Sequence, residues 1–416
     1  MKIVEINAVP TGSTGTIMRS ISRVLEQNGG DFRVFFTPIY TQKNINKNYA
    51  DKKCFCVGTH LENTIHAILG QLTGLNGLFS WFGTRQIIKE CKKFKPDIIH
   101  IHVVHAFCFC LPMLFRYIKK HNIPVVWTFH DAWALTGHCP HFVMVKCDKW
   151  QSGCGNCPQL GCYPKSRVDN TAFALKLKKK WFMGVKNMTI VTPSQWLADL
   201  VKQSYLKDYD VKVINNGIDL DVFQPTKNTF RQIYSISNDK KIILGVASNW
   251  GKKKGLDVFI ELAKRLDFAK YQIVLVGTDK AIDMHLPENI ISIHRTNSQK
   301  ELAEIYTAAD LFVNPTREDT YPTVNMEAVA CGTPVVTFNT GGSPEIVDGT
   351  CGVVVECDDI EGMEKEITRL CNEDCFENVS CFEKAKDFDK NKKFKEYLEL
   401  YETIKSRNSR IDIQLF

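Results

Sequence analysis

The apolar positions of the chain fall into short, nearly continuous runs separated by stretches with helical spacing. KIVEINAV comes first, then a predicted helix from Thr16 to Gln27, then FRVFFTP. DIIHIHVV, VVWTFH and MTIVTPS are later runs, with helices predicted from Phe107 to Lys120 and from Thr171 to Trp181. Runs that are apolar throughout belong to strands covered on both faces, and strands alternating with helices form a parallel sheet. A second series follows after about Asp210: VKVINNG, KIILGVAS, YQIVLVG, IISIH, LFVNP, PVVTF and CGVVV. Its predicted helices run from Leu256 to Leu266, Gln299 to Ala308, Thr323 to Ala330 and Asp359 to Leu370. The expected fold class is therefore α/β, with two doubly wound parallel-sheet domains.

The tail spaces Phe388, Phe394, Tyr397, Leu398 and Tyr401 at helical intervals. The second sheet is complete without it, so the segment 381–416 is expected to be a helix that crosses back onto the first domain. At 416 residues the chain exceeds the size of a single core, which fits a division into 1–195 and 210–380.

Composition narrows the class. A hydrophobic content of 44% with 24% charged residues is that of a globular protein and excludes a disordered chain. MKIVEINAVP lacks the apolar stretch of a signal peptide, and no run of 18 apolar residues crosses a membrane. A cytoplasmic protein is expected, peripheral at most to the inner face of the plasma membrane. The net charge of +7 is concentrated in KECKKFK, KLKKKWF and KKK. These runs are too short for a nucleic-acid face, and no nucleic-acid module accompanies them. They suit solvated helix faces, anionic lipid or a phosphorylated small molecule.

Candidate chemistry sits where strands end. After the first strand, Pro10-Thr-Gly-Ser-Thr-Gly-Thr16 places Gly12 and Gly15 at a strand-to-helix turn that a phosphate could approach. His100, His102 and His105 end one strand, and Thr128-Phe-His130-Asp131 ends another. His130, followed by an acid, is the candidate functional histidine, and a buried structural role is expected for at least one of the others. In the second series, Ser248-Asn-Trp-Gly-Lys-Lys-Lys254-Gly255 offers cations at a helix start, suited to a diphosphate and to a departing one. REDTYPTVNMEAVACGTPVV carries Glu318 and Asp319 on a loop, Thr323 at a helix start and Glu327 within that helix. A carboxylate on ribose hydroxyls beside a phosphate-binding helix end is one way nucleotide sites divide their work. Gly341 and Gly342, in Thr340-Gly-Gly-Ser-Pro-Glu345, form a further glycine-rich turn.

In order, Asn216-Gly-Ile-Asp219, Lys254-Gly255, LVG at Leu275 to Gly277, the acid-x7-Glu pair, Ala-Cys-Gly-Thr-Pro and Gly-Gly-Ser-Pro-Glu resemble the retaining family 4 glycosyltransferases of GT-B architecture. PTGSTGT, TFHDAW and TPSQWLAD extend the resemblance over most of the chain. It implies paired Rossmann-like domains facing across a cleft, with acceptor side 1–195 and donor side 210–380, and transfer of a hexose-type sugar from a nucleotide diphosphate sugar with retention of configuration. It further implies that Lys254 binds the donor diphosphate, Glu327 the ribose, and His130 with the first acid of the pair the transferred sugar. The family's first acid is usually Glu, whereas the spacing here lands on Asp319 with Glu318 one residue before. The family's usual Arg about five residues before the lysine is absent, and Lys252 or Lys253 is the candidate replacement for its charge. No acidic DxD stands where a metal-dependent transferase needs one, so no catalytic metal and no protein nucleophile are expected.

Five of the sixteen cysteines cluster as C-x7-C-x6-C-x2-C-x4-C between Cys139 and Cys162, in an insert spanning 138–165. Cys139, Cys147, Cys154 and Cys157 form the simplest set of zinc ligands; free buried thiols and disulfide or redox chemistry are the alternatives. The following helix, TAFALKLKKKWF, is basic and aromatic, and is either a solvated face or a dock on anionic membrane near a lipid-linked acceptor. The expected function is glycosyl transfer to a glycan or polyprenyl-diphosphate-linked acceptor in exopolysaccharide, O-antigen or capsule assembly. A nucleotide-sugar epimerase of the same fold, or a non-catalytic nucleotide-sugar sensor or scaffold, is the alternative.

Overall fold

A computed structural model describes residues 1–38, 53–105, 107–373 and 378–414, so residues 39–52 and 106 of the predicted first domain and the end of the predicted tail lie outside the described residues. The chain divides into two compact units, Met1–Ile214 with Lys393–Phe416, and Asn215–Lys392.

The first unit is built on a sheet of seven strands: β1 (Lys2–Ile6), β2 (Asp31–Phe36), β3 (Cys54–Cys56), β4 (Ile98–Ile101), β5 (Val125–Thr128), β6 (Met188–Thr192) and β7 (Asp210–Val213). Their order is β3-β2-β1-β4-β5-β6-β7, and every pairing is parallel. The central strands are buried along their length because helices cover both faces. One correction concerns VKV, expected to open the second series. It is the seventh strand of the first sheet, with Ile190 opposite Val211 and Thr192 opposite Val213. Its half-exposed, alternating pattern is that of an edge strand, which its apolar residues alone did not reveal.

The second unit has six parallel strands: β8 (Lys241–Val246), β9 (Tyr271–Val276), β10 (Ile290–Ile293), β11 (Leu311–Asn314), β12 (Val335–Phe338) and β13 (Gly352–Val355), in the order β10-β9-β8-β11-β12-β13. In each sheet the order reverses beside the first strand, between β1 and β4 and between β8 and β11. Open α/β sheets place ligands outside the strand C-termini at such switch points.

Two further features bear on function. From Lys393 onward the helix Lys390–Gln414 packs on the first unit, burying Phe394, Tyr397, Leu398 and Tyr401 in one cluster with Ile17, Ile21 and Val126. Tyr401 Oη lies 2.6 Å from His100 Nδ1, so the tail shares the polar interior of the first sheet. In the helix Thr171–Phe182, Lys178 is not on a solvated or membrane-facing side: it is 2% exposed. Its ammonium donates to the carbonyls of Trp133 at 2.7 Å and Thr136 at 2.9 Å. Among the described residues, an exposed apolar stripe lies elsewhere. Leu61, Ile65, Ile68 and Leu72 line one face of the helix His60–Thr73, and Trp81 and Phe82 open the helix Trp81–Phe94 beside it. Among the described residues no helix is long and apolar enough to cross a membrane.

Candidate active site

In the first unit the loops leaving β1, β4 and β5 carry the titratable groups. Asn7 pins the first loop: its Oδ1 accepts from Ala8 N at 3.0 Å and Val103 N at 3.1 Å, and its Nδ2 donates to Val9 O at 2.9 Å. The loop is thereby drawn against the helix Gly12–Gln27. A Cβ on Gly15 would lie 2.4 Å from the Pro10 carbonyl carbon, so only glycine permits the approach. Gly12 itself has φ 71°, in the region where glycine is favoured. Thr11 provides no side-chain cap to this helix, leaving its first-turn amides to be met by other acceptors.

His130 lies two residues beyond β5 and belongs to a buried chain of hydrogen bonds. Its Nε2 is 3.1 Å from His102 Nδ1, and His102 Nε2 is 2.8 Å from Glu5 Oε2. His100 completes the network, 2.8 Å from Thr128 Oγ1 and 3.3 Å from Glu5 Oε2. A carboxylate only accepts, so His102 carries its proton on Nε2 and offers Nδ1 as acceptor; His130 then donates through Nε2 and keeps Nδ1 as its own acceptor. Burial alone would raise the Glu5 carboxyl, but His100 and His102 beside it overturn that and hold it down to about 2. Burial lowers His102 to about 4, with His100 adding to the effect and Glu5 opposing it. Burial, reinforced by His102, lowers His130 to about 3. Both rings are neutral at physiological pH.

Asp131, the acid that follows His130, has a different partner. It pairs instead with His105, at 2.8 Å, and accepts from Trp133 N at 2.8 Å. Adjacent residues leaving a strand diverge, so sequence adjacency did not make a pair. His105 Nδ1 reaches Tyr163 Oη at 3.1 Å, which brings the cysteine-rich insert against this corner.

In the second unit the loops after β8 and β11 meet. Gly255, with φ 75°, lets the lysine turn lie on the end of β11, where a Cβ would be 2.4 Å from Pro315 O. Lys254 Nζ reaches Asp319 Oδ2 at 2.5 Å, and Lys253 Nζ reaches Glu318 Oε2 at 3.6 Å. Asp319 is the more accessible acid, with 20% of its side chain exposed against 6% for Glu318. Gly341 closes onto the same loop: its Cβ would fall 1.8 Å from Asp319 O, and Gly342 N donates to that carbonyl at 3.2 Å. Thr323 begins the helix Thr323–Ala330, which Pro322 precedes without a side-chain cap. Glu327 stands in that helix, 3.2 Å from Tyr306 Oη. Burial raises its carboxyl to about 7, although the Tyr306 and Thr323 hydroxyls work against the shift.

Arg317 was not anticipated. Its buried guanidinium grips Asp257 with two bonds, at 2.8 and 2.9 Å, reaches Asp358 at 2.6 Å and bonds the Lys252 carbonyl. It is thus committed to holding the lysine turn in place. Trp250, near the place of the family's usual Arg, is a core residue whose Nε1 donates to Val276 O at 2.9 Å. Asp219, in the sequence Asp219-Leu220-Asp221, pairs with Lys390 within the same unit.

Two Rossmann-like parallel sheets in one chain, each with its chemistry at the switch point, make this a protein of the GT-B class. Residues 14–222 match the family described as Glycosyltransferase Family 4, and residues 226–395 match Glycosyl transferases group 1. The chain belongs to glycosyltransferase family 4. It is 25% identical over 282 residues to WcaC of Escherichia coli (strain K12), named as a glycosyl transferase of colanic acid biosynthesis; the match covers 64% of this chain and 65% of WcaC, less than two thirds of that protein. It is 30% identical over 180 residues to the D-inositol 3-phosphate glycosyltransferase of Streptosporangium roseum, covering 38% of this chain and 41% of that one. Among solved structures, Anabaena Alr3699/HepE in complex with UDP superposes with a TM-score of 0.68 at 16% identity, over 97% of this chain and all of that one.

The buried network makes acid stability testable. Below pH 6.5 an unfolded histidine takes a proton, whereas His102 stays neutral to about 4 and His130 to about 3, so each removes stability as pH falls through that window. Glu5 acts in the same direction between 4.5 and about 2. The unfolding free energy from urea titration should drop as pH falls from about 6.5 to 4, by about 1.4 kcal/mol per pH unit for each proton taken up. His102→Gln, which can still donate to Glu5, should flatten that slope; an unchanged slope would show that His102 titrates as an exposed histidine.

Proposed function

We propose that this protein transfers a hexose-type sugar from a nucleotide diphosphate sugar to a glycan or polyprenyl-diphosphate-linked acceptor, with retention of configuration, in the assembly of a surface polysaccharide. The observation that carries this reading is the convergence of Lys254, Asp319 and the Thr323–Ala330 helix with Glu327 at the switch point of the second sheet. Lys254 and the turns at Gly341 and Gly342 would take the diphosphate, with Lys253 adding charge where the family's Arg is missing. Glu327 would accept the ribose hydroxyls. Asp319, more open than Glu318, is the acid we assign to the sugar. In the first unit, we assign His130 to a sugar hydroxyl and the Gly12–Gly15 turn to a phosphate. Positive charge and helix amides at the leaving diphosphate provide the stabilisation that a catalytic metal provides in other transferases. The relation to WcaC supports the polysaccharide setting, and the UDP bound to HepE makes UDP-sugars the first donors to try.

A lipid-linked acceptor implies contact with a membrane. The apolar stripe of Leu61, Ile65, Ile68 and Leu72, with Trp81, Phe82 and the exposed Arg85, Lys89, Lys92 and Lys93, has the make-up of a surface that rests on anionic lipid.

Three outcomes follow. In EDTA, with a panel of UDP- and GDP-sugars and a polyprenyl-diphosphate glycan acceptor, the wild type should release nucleoside diphosphate from one donor. Lys254→Ala should weaken donor binding roughly 10- to 100-fold, the worth of a charge-assisted hydrogen bond. Donor conversion that needs no acceptor would favour the epimerase, and tight binding without turnover the sensor. Second, ribose hydroxyls favour the ionised Glu327, so the Kd of the nucleotide sugar should fall as pH rises from 5.5 towards 7 and level off above it, by up to about tenfold per unit. Glu327→Gln should be flat, and a flat wild-type profile would remove Glu327 from the ribose. Third, the protein should float with phosphatidylglycerol vesicles, and Trp81→Ala with Phe82→Ala should reduce the bound fraction several-fold. Failure of the wild type to float would discard the membrane contact.

A further inference from the structure

We propose that Cys139, Cys147, Cys154 and Cys157 bind one zinc ion in an all-thiolate, structural site that braces the insert against the His105–Asp131 corner of the first unit. All four side chains line a single cavity, together with His138. Each is a free thiol. They come from distant points of the insert: Cys139 follows the turn after Trp133, Cys147 lies beyond it, and Cys154 and Cys157 flank a tight knuckle. In that knuckle Cys154, Gly155 and Asn156 all have positive φ, at 57°, 116° and 47°. Non-glycine residues rarely adopt this conformation, and here the two cysteines at the ends of the knuckle line one cavity.

Three surrounding groups fit a negatively charged occupant rather than an empty apolar pocket. The Gly137 N–H donates to Cys154 Sγ at 3.3 Å, a bond that strengthens when sulfur carries charge. His138, 5% exposed and on the cavity wall, has an Nε2 without a hydrogen-bond partner. Lys178 is buried behind the same loop. Its hydrogen bonds go to the Trp133 and Thr136 carbonyls, and among the described residues it forms no ion pair with a carboxylate. Four thiolates around a divalent ion leave a net charge of about −2, which a nearby buried ammonium offsets.

The chemistry selects the ion. Four soft thiolates in a tetrahedral shell suit zinc, and a closed shell leaves no position for substrate, so the role is structural. The tightest donor group among the described residues is Glu5, His100 and His102, with ligand atoms within 4.8 Å of one another. Those atoms are already engaged with Thr128, Tyr401 and His130, which makes that group a hydrogen-bond network. The cysteine sulfurs ring their cavity more widely, so binding must draw them in to about 2.3 Å from the ion. The knuckle has room to move: no atom comes within 4 Å of a Cβ built on Gly153, and only the Ala172 methyl reaches that distance from one on Gly155. The consequence reaches the candidate site, because Tyr163, just past Cys162, bonds His105, and Pro140 O accepts from Ala132 N at 2.9 Å.

The test is metal analysis of the full chain purified without chelator. One zinc per chain is expected, together with release of that zinc by a mercurial at four thiols per ion. Replacement with cobalt should give the intense visible bands and thiolate charge-transfer absorption of a tetrahedral four-sulfur site. Cys154→Ser and Cys157→Ser should lose the metal, and Cys162→Ser should keep it. If the Ser variants do not fold, the cobalt spectrum and mercurial stoichiometry of the wild type still decide. Four freely alkylated thiols with no bound metal, a Cys154–Cys157 disulfide, or an iron–sulfur chromophore would each overturn the proposal. None of these readouts depends on glycosyl transfer.

Discussion

A parallel sheet sends every strand into its following helix from the same edge, and the candidate functional side chains of the two sheets stand on loops at that edge or in the helices that leave it. The constraint is topological before it is chemical. In the second unit β8 and β11 are neighbours although 64 residues separate the end of one from the start of the other, so the loops after them must lie side by side. That places Lys254 within bonding distance of Asp319 without any local sequence signal linking them. In the first unit the same rule gathers Asn7, His102 and His130 from three separate strands.

Proximity of like charges then has to be compensated. Lys252, Lys253 and Lys254 follow one another on a single short turn, and Arg317 precedes two acids on the loop it meets. The guanidinium of Arg317 resolves this by facing away from the acids that follow it. It is 6% exposed and its fork is filled by Asp257 and Asp358, so the buried charge is matched on the spot. The Lys254–Asp319 pair, by contrast, is partly exposed. Such pairs contribute little to folding, about 0 to 1 kcal/mol, which is why a diphosphate could redistribute the partners without loosening the loops.

How much of this was legible in the sequence depends on the range of the interaction. Apolar runs and helical spacing are local, and they sufficed for two parallel-sheet units. VKV was misassigned because only its partner strand, not its own residues, shows which sheet it joins. Cys54 to Cys56 and the helices at His60–Thr73 and Trp81–Phe94 were not read, the first for its shortness and the others because their apolar residues point partly to solvent. The candidate residues could be named one at a time, but not the pairings. Asp131 with His105, Lys178 beneath Trp133, and Arg317 across two loops are contacts between distant positions. One signal was available: an acid inside the apolar strand KIVEI has no bland place in a core, and Glu5 does anchor the buried histidines.

That network also constrains what His130 can do. A general base works best when its pKa lies near the working pH, and burial has pressed this ring to about 3. Its donor is committed to His102, and His102 is fixed in turn by a carboxylate that remains ionised. The imidazole is therefore held in one tautomer and one orientation, and is poorly suited to removing a proton. If the proposed transferase reading holds, His130 would orient a sugar hydroxyl rather than act as a base, and the proton of the attacking acceptor would go to another group.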